Sequence, residues 1–178
     1  MERKIADKIR ASIREVADFP KPGINFYDIT TVLSDGTLFR EIIETLGGRY
    51  RTRNVTAVVG IEARGFIFGG ALSHELGTAF IPVRKHGKLP SAVERCSYSL
   101  EYGEDVLEIH KDALSNSDRV VVIDDLLATG GTAKTACSLI ERLGAEIIEF
   151  AFIVELSFLR GRKELDGTSV VSMVKYDK

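Results

Sequence analysis

The chain has 178 residues, with 24 basic and 26 acidic side chains, a net charge of -2 and 44% hydrophobic residues. That size and balance predict one domain with a sizeable core, and give no global pull toward nucleic acid or an anionic membrane surface. The two cysteines, Cys96 and Cys137, lie far apart with no metal-ligand spacing around either, so neither a disulfide framework nor a zinc site is suggested and free thiols in a reducing cytosol are expected.

The N-terminal MERKIADKIRASIREV is charged throughout, and no window of the chain approaches 18 consecutive apolar residues. A cytoplasmic protein without a membrane segment is expected. Within that first stretch Ile5, Ile9, Ile13 and Val16 fall at helical spacing, predicting an amphipathic helix stopped by Phe19-Pro20. Leu38, Phe39, Ile42, Ile43 and Leu46 form a second helical stripe. Short apolar runs then alternate with helical patterns. VTAVVGI (55–61) is followed by a helix over about 65–76, and AFIPV (79–83) by a long polar excursion from Lys85. RVVVID (119–124) precedes a helix over about 131–143, and EIIEFAFIVEL (146–156) follows it. This βαβ alternation predicts an α/β fold whose mostly parallel sheet is covered by helices on both faces. In the excursion, SYSLEYGEDVLEIH reads as a hairpin arm, and the lysines, glycine and proline before it suggest a mobile loop.

VVIDDLLATGGT (121–132) is the most informative stretch. An apolar strand delivers Asp124 and Asp125 to the carboxyl edge of the sheet, where open α/β folds bind ligands. The turn Ala128, Thr129, Gly130, Gly131, Thr132 then opens a helix, and its backbone N–H groups and hydroxyls form a nest for a phosphate dianion. From Asp125 to Thr129 the chain reaches at most ~14 Å, room for a pentose between acids and nest. Carboxylates accept hydrogen bonds from sugar hydroxyls, so the ligand that reconciles acids and nest is a ribose 5-phosphate. Neighbouring strand residues point to opposite faces, so both acids can face one sugar only where the strand is ending. Neither GxxxxGK[ST] nor a GxGxxG after a strand occurs, which argues against a nucleoside triphosphatase or a Rossmann dehydrogenase. A plain capping role for Asp125, with glycines that only permit positive φ, is the competing reading.

IEARGFIFGG (61–70) is a second strand-to-helix junction with glycines and an arginine, hence a second anion nest, with an ordinary surface ion pair the weaker, competing reading of Arg64. Arg84, Lys85 and Lys88 place three positive charges within five positions after a strand. They could neutralise a departing anion or form a solvated surface. His74, His86 and His110 show no metal spacing and no nucleophile partner.

VVVIDDLLATGGT resembles the phosphoribosyl pyrophosphate (PRPP) motif of the type I phosphoribosyltransferases. DFPKPGINFYDIT, EARGFIFGG, VRKHGKLP and SYSLEYG resemble, in order, successive blocks of the members of that family that act on adenine. The resemblance implies the type I phosphoribosyltransferase fold as a single domain over 1–178, with a small N-terminal hood (about 1–35) and a flexible lid (about 87–102). It implies transfer of ribose 5-phosphate from PRPP to adenine, giving AMP and pyrophosphate with Mg2+ held mainly through PRPP, in a homodimer. Ala63, Arg64, Arg84, Lys85 and Lys88 would hold the pyrophosphate, with some of these charges shared across the dimer, and Tyr102 would help close the lid. The peptide between Ala63 and Arg64 is expected to be cis. Glu101 would reach the imidazole edge of the purine and manage its proton. Backbone near Asn25 and Tyr27 would read the base edge, with Phe26 and Leu156 sandwiching its faces, unless the two apolar residues are simply core. Arginine is commoner in the family where Tyr27 stands, and a small aliphatic where Asn25 stands. Another purine base, or a PRPP-sensing regulator without turnover, are the alternatives; the latter lacks support from any DNA-binding segment.

Overall fold

Ile5 and Ile9 are buried on helix α1 (Glu2–Ser12), but the helix stops a turn earlier than the apolar spacing predicts. Ile13 N–H still reaches the Ile9 carbonyl at 3.0 Å. Beyond it the chain becomes strand β1 (Arg14–Val16), antiparallel to β2 (Phe26–Asp28) with Val16 opposite Phe26. Val16 therefore belongs to a two-stranded sheet and not to the helix, because pairing with a segment ten residues on outweighs the local period. The computed structural model describes residues 2–99 and 104–178.

After the short α2 (Thr30–Ser34), helix α3 (Gly36–Tyr50) starts where the Asp35 carboxylate accepts the N–H groups of Thr37 and Leu38, a side-chain cap for two otherwise orphaned donors. Strand β3 (Ala57–Ile61) leads through a tight junction to α4 (Gly65–Leu76), closed by Gly77 at φ 67°, and then to β4 (Ala79–Lys85). Strands β5 (Val93–Ser99) and β6 (Glu104–His110) form the expected antiparallel arm. Strand β7 (Arg119–Leu127), α5 (Gly131–Arg142) and β8 (Glu146–Leu156) follow the predicted order. A last strand, β9 (Val170–Tyr176), went unpredicted.

The seven-stranded sheet runs β5-β6-β4-β3-β7-β8-β9. Its β4-β3-β7-β8-β9 portion is parallel and the arm joins it antiparallel through β6. Alternate residues of the central strands enter two separate cores. Val58, Val121 and Ile123 pack with Ile9, Ile42, Phe68 and Leu72 from α1, α3 and α4, whereas Val59, Val120 and Val122 pack with Ala136, Leu139 and Ile140 of α5. Strands buried on both faces are why these runs read as continuous valine and isoleucine. Between β3, α4 and β4 one aromatic ring replaces two missing side chains: a Cβ at Gly60 or Gly69 would lie 2.6 or 2.8 Å from Cε2 of Phe80.

Helix α3 is pinned to the sheet by Glu149 of β8, whose buried carboxylate accepts from Arg49 Nε (2.6 Å) and Nη2 (2.9 Å), the Tyr50 hydroxyl (2.8 Å) and Ser169 Oγ (2.7 Å). Burial alone would raise this carboxyl, but the donors Arg49, Ser169 and Tyr50 outweigh burial and hold it at about 2. A carboxylate depressed in the fold contributes stability above its ordinary value near 4.5, and that contribution drains away as pH falls toward about 2. Glu149→Gln should therefore cost about 3 kcal/mol at neutral pH. In denaturant titrations the gap between variant and native protein should narrow steadily between pH 4.5 and 2.

Candidate active site

Strand order reverses between β3 and β7. From β3 the chain crosses to β4 on one side, and from β7 it crosses to β8 on the other. Crossovers that diverge leave a crevice at the carboxyl ends of the two strands. Glu62, Ala63 and Arg64 leave β3 there, and Ala128 to Gly130 leave β7.

The two neighbouring acids both turn toward the start of α4. Asp125 Oδ2 meets Arg64 Nε at 2.5 Å, and Asp124 Oδ1 accepts the Asp125 N–H at 2.8 Å while lying beside Gly65. Strand β7 does not end at the acids, as the expectation required, but runs on to Leu127. What breaks is its alternation: Val121 and Ile123 enter the core shared with α4, whereas Leu127, of the same parity, enters the one shared with α5. Asp124 loses water and faces the charge of Asp125, so its carboxyl is raised well above the usual range, against the pull of Arg64. Arg64 in turn feels Asp125, Asp124 and Asp28. The approach depends on Gly65, where a Cβ would stand 2.7 Å from the Ile123 carbonyl oxygen and 3.0 Å from Asp124 Oδ1. The cis peptide of this junction is Glu62–Ala63, one bond before the expected Ala63–Arg64.

The turn from Ala128 to Thr132 opens α5 with Gly130 as N-cap at φ 88° and without a side-chain cap. First-turn amides that no side chain caps are suited to an anion. The turn is backed by Gly161: a Cβ there would lie 2.2 Å from the Ala128 carbonyl oxygen and 2.9 Å from Gly130 N. A Lys134–Glu164 ion pair at 2.6 Å ties the same Gly161–Leu165 segment to α5.

Each residue of the basic segment 84–88 is held by a carboxylate. Glu62 accepts from Arg84 Nε and Nη2, the Lys85 N–H and Lys88 Nζ. Buried Glu108 of β6 takes His86 Nδ1 at 2.7 Å, the Gly87 N–H at 3.0 Å and Arg95 Nε at 2.7 Å. Lys85 Nζ pairs with Asp105 at 2.9 Å. Burial would raise Glu62, but Lys88, the Lys85 N–H and Arg84 outweigh it and hold the carboxyl at about 2.

Beside this edge the β1–β2 sheet walls a cleft of about 360 Å3, lined by Val16, Phe19, Phe26, Asp28, Thr30 and Arg64 among others. Phe26 meets the ring of Phe19 edge-on at 5.2 Å. The Asn25 side chain donates to Glu15 at 2.8 Å, and the Tyr27 ring lies on Tyr176 at 4.0 Å with its hydroxyl donating to the Lys178 carbonyl. The Asn25 side chain is thus paired with Glu15 and the Tyr27 ring and hydroxyl with the last strand and Lys178, while Tyr27 also lines the cleft. Leu156 is buried in the apolar cluster that also contains Tyr27. Asp28 is held at about 2 by the Thr30 N–H and hydroxyl and by Arg14. Glu101 and Tyr102 lie outside the described residues. From sequence no individual role falls to Glu62, Gly161, Asp28 or Phe19, although Glu62 lies in EARGFIFGG and Phe19 and Asp28 in DFPKPGINFYDIT; Gly161 alone has no local signal.

The family model described as "Phosphoribosyl transferase domain" matches residues 28–176, and the chain belongs to that family. Adenine phosphoribosyltransferases are among the proteins it resembles. The one from Solibacter usitatus is 52% identical, covering 96% of this chain and 98% of its own. The crystal structure of the one from Thermoanaerobacter pseudethanolicus is 48% identical with a TM-score of 0.92, covering 96% of this chain and 99% of that one. That from Saccharomyces cerevisiae, complexed with an imino-altritol bisphosphate and adenine, is 36% identical with a TM-score of 0.91, covering 96% and 99%.

Gly161→Ala should push the Ala128–Gly130 turn off its backing and cost about 1–3 kcal/mol. At Gly36 an added methyl meets nothing within 4 Å, so Gly36→Ala should shift stability by less than about 1 kcal/mol. Equilibrium denaturation of the two variants compares them directly.

Proposed function

We infer that the chain transfers ribose 5-phosphate from PRPP to adenine, yielding AMP and pyrophosphate. The observation that carries this reading is the pairing, at one switch point, of Asp124 and Asp125 with the uncapped turn before α5, with Arg64 across the crevice. The turn takes the 5-phosphate through the N–H groups of Thr129 to Thr132 and the threonine hydroxyls. Asp124 and Asp125 take the ribose hydroxyls as hydrogen-bond acceptors. Arg64, Arg84 and Lys88, with Lys85 and Ala63 alongside, receive the pyrophosphate.

In the reaction the purine N9 attacks C1′ as the bond from C1′ to the pyrophosphate oxygen breaks. Positive charge builds at the ribose between the acids, negative charge on the leaving oxygen beside the cations, and the purine proton passes to Glu101. Positioning and charge supply most of the acceleration, and no covalent enzyme intermediate is required. Among the described residues no group of three or more histidine, cysteine or acidic side chains could hold a metal. The family resemblance implies a Mg2+ ion that would be held mainly through the oxygens of PRPP. When bound it supplies charge neutralisation on the leaving group.

Adenine fits the cleft beside Phe26, its amine and N1 paired with backbone near Asn25 and Tyr27, and Leu156 assigned to its other face by resemblance. The segment over about 87–102, with Tyr102, closes to exclude water. A homodimer in the cytosol is supported by the family resemblance and the two free thiols; no helix among the described residues is long and apolar enough to cross a membrane.

The direct test is formation of AMP from adenine and PRPP with Mg2+. Asp124→Asn with Asp125→Asn should lower kcat/KM by roughly a hundred- to ten-thousand-fold, from about 1.5–3 kcal/mol per charged hydrogen bond, with circular dichroism unchanged. Full activity in that folded variant would remove the acids from the ribose.

For the base, a 6-oxopurine presents the reverse hydrogen-bond pattern and should be disfavoured by about 1–3 kcal/mol per mismatched buried group. Tyr27→Phe keeps the ring stack on Tyr176 and should leave the adenine-to-hypoxanthine ratio of kcat/KM unchanged. A ratio that moves would mean the side chain at 27 reads the base.

A further inference from the structure

Glu62 stands between β3 and Arg64, and no motif assigns it a role. Its carboxylate takes Lys88 Nζ at 2.7 Å, Arg84 Nη2 at 3.2 Å and Nε at 3.3 Å, and the Lys85 N–H at 3.0 Å. The Glu62 side chain is 9% exposed, against 32% for Arg84 and 48% for Lys88. The acid is the fixed inner member, therefore, and the cations reach it from the solvent side. Arg84 is further steadied by its Nη1 bond to the Lys88 carbonyl at 3.1 Å and by the face of Phe66, 5.9 Å from ring centre to guanidinium. Two oxygens of one anion thus gather a guanidinium, an ammonium and a backbone N–H. This is the donor set that one end of a pyrophosphate would need.

We propose that Glu62 is a positioning residue that competes with pyrophosphate for Arg84 and Lys88: it keeps the two cations side by side, yields them to the incoming polyphosphate and reclaims them as pyrophosphate departs. The proposal rests on the assignment of Arg84 and Lys88 to pyrophosphate. Two effects of the carboxylate oppose each other. Holding the long side chains in place lowers the ordering cost of binding and favours the ligand. Its negative charge, at contact distance from both cations, disfavours the ligand. The charge outweighs the ordering, because Arg84 retains its carbonyl and aromatic contacts without Glu62 whereas the competing charge disappears entirely. A glutamine there also turns an N–H donor toward the cations and releases them.

Calorimetric titration of inorganic pyrophosphate, with Mg2+, into native protein and variants tests this. Glu62→Gln should bind pyrophosphate about tenfold tighter, after allowance for screening of the partly exposed cations. Its KM for PRPP should fall in parallel while kcat falls and does not rise, because the product leaves more slowly. Glu62→Asp, which keeps the charge, should return affinity toward the native value. Unchanged or weaker pyrophosphate binding by Glu62→Gln overturns the proposal, since a residue that merely supports the fold would lower affinity when altered.

Lys88→Ala separates the two levels. If it leaves pyrophosphate binding untouched, the underlying assignment of the cations fails. If it weakens binding while Glu62→Gln does not tighten it, that assignment stands and the competition is wrong. Should Glu62→Gln not fold, a crystal structure of the native protein with pyrophosphate decides. Lys88 Nζ is expected out of reach of Glu62 in that complex, and a retained 2.7 Å contact would overturn the idea.

Discussion

The candidate site depends on how closely helix α4 approaches strand β7. Residue 65 has no side chain, and any Cβ there would press on the Ile123 carbonyl and the Asp124 carboxylate. At that close approach Arg64 meets Asp125, and both neighbouring acids address one junction. Parallel strands whose crossovers diverge open a crevice in many proteins. Here the glycine converts the crevice into a place where two carboxylates and a guanidinium share a few ångströms.

Among the described residues, charge at this edge is organised in pairs. Asp125 holds Arg64, Glu62 holds Arg84 and Lys88, Glu108 holds His86 and Arg95, and Asp105 holds Lys85. Isolated surface pairs of this sort add little to stability. Their effect is on geometry: long side chains that would otherwise sample many rotamers are held near the strand ends where an anionic substrate would meet them. If the site binds a polyanion as proposed, one set of anions has to be exchanged there for another, and the protein carboxylates would set the terms of that exchange.

Much of the architecture was legible in local pattern. The valine-rich runs, the glycine turns and the Asp-Asp-to-glycine stretch each describe structure within a dozen residues, and the central strands and helices stand where those patterns put them. Pairings between distant segments were not legible. Val16 continues a helical stripe in sequence, yet it sits in a strand because Phe26 lies opposite. Strand β9 was missed because its residues are mostly half-buried at the sheet edge and read as neither core nor surface. Gly161 backs the Ala128–Gly130 turn from more than thirty residues away, with nothing in its neighbours to announce it. The side chains of Asn25 and Tyr27 departed from the family pattern in a way that sequence could not weigh. Their partners, Glu15 and Tyr176, belong to other strands or loops.

The ring of Phe80, which occupies the space that side chains at Gly60 and Gly69 would need, ties three distant positions into one shared volume. None of the three can drift alone. A methyl at either glycine requires a smaller residue at 80, and a smaller residue at 80 leaves a void unless a glycine gains a methyl. The same ring meets Phe66 edge-on at 5.7 Å, and Phe66 carries the Arg84 guanidinium on its face. Divergence among relatives at these core positions would therefore be expected to proceed by paired exchanges, and to leave its trace in how firmly a surface arginine two layers away is seated.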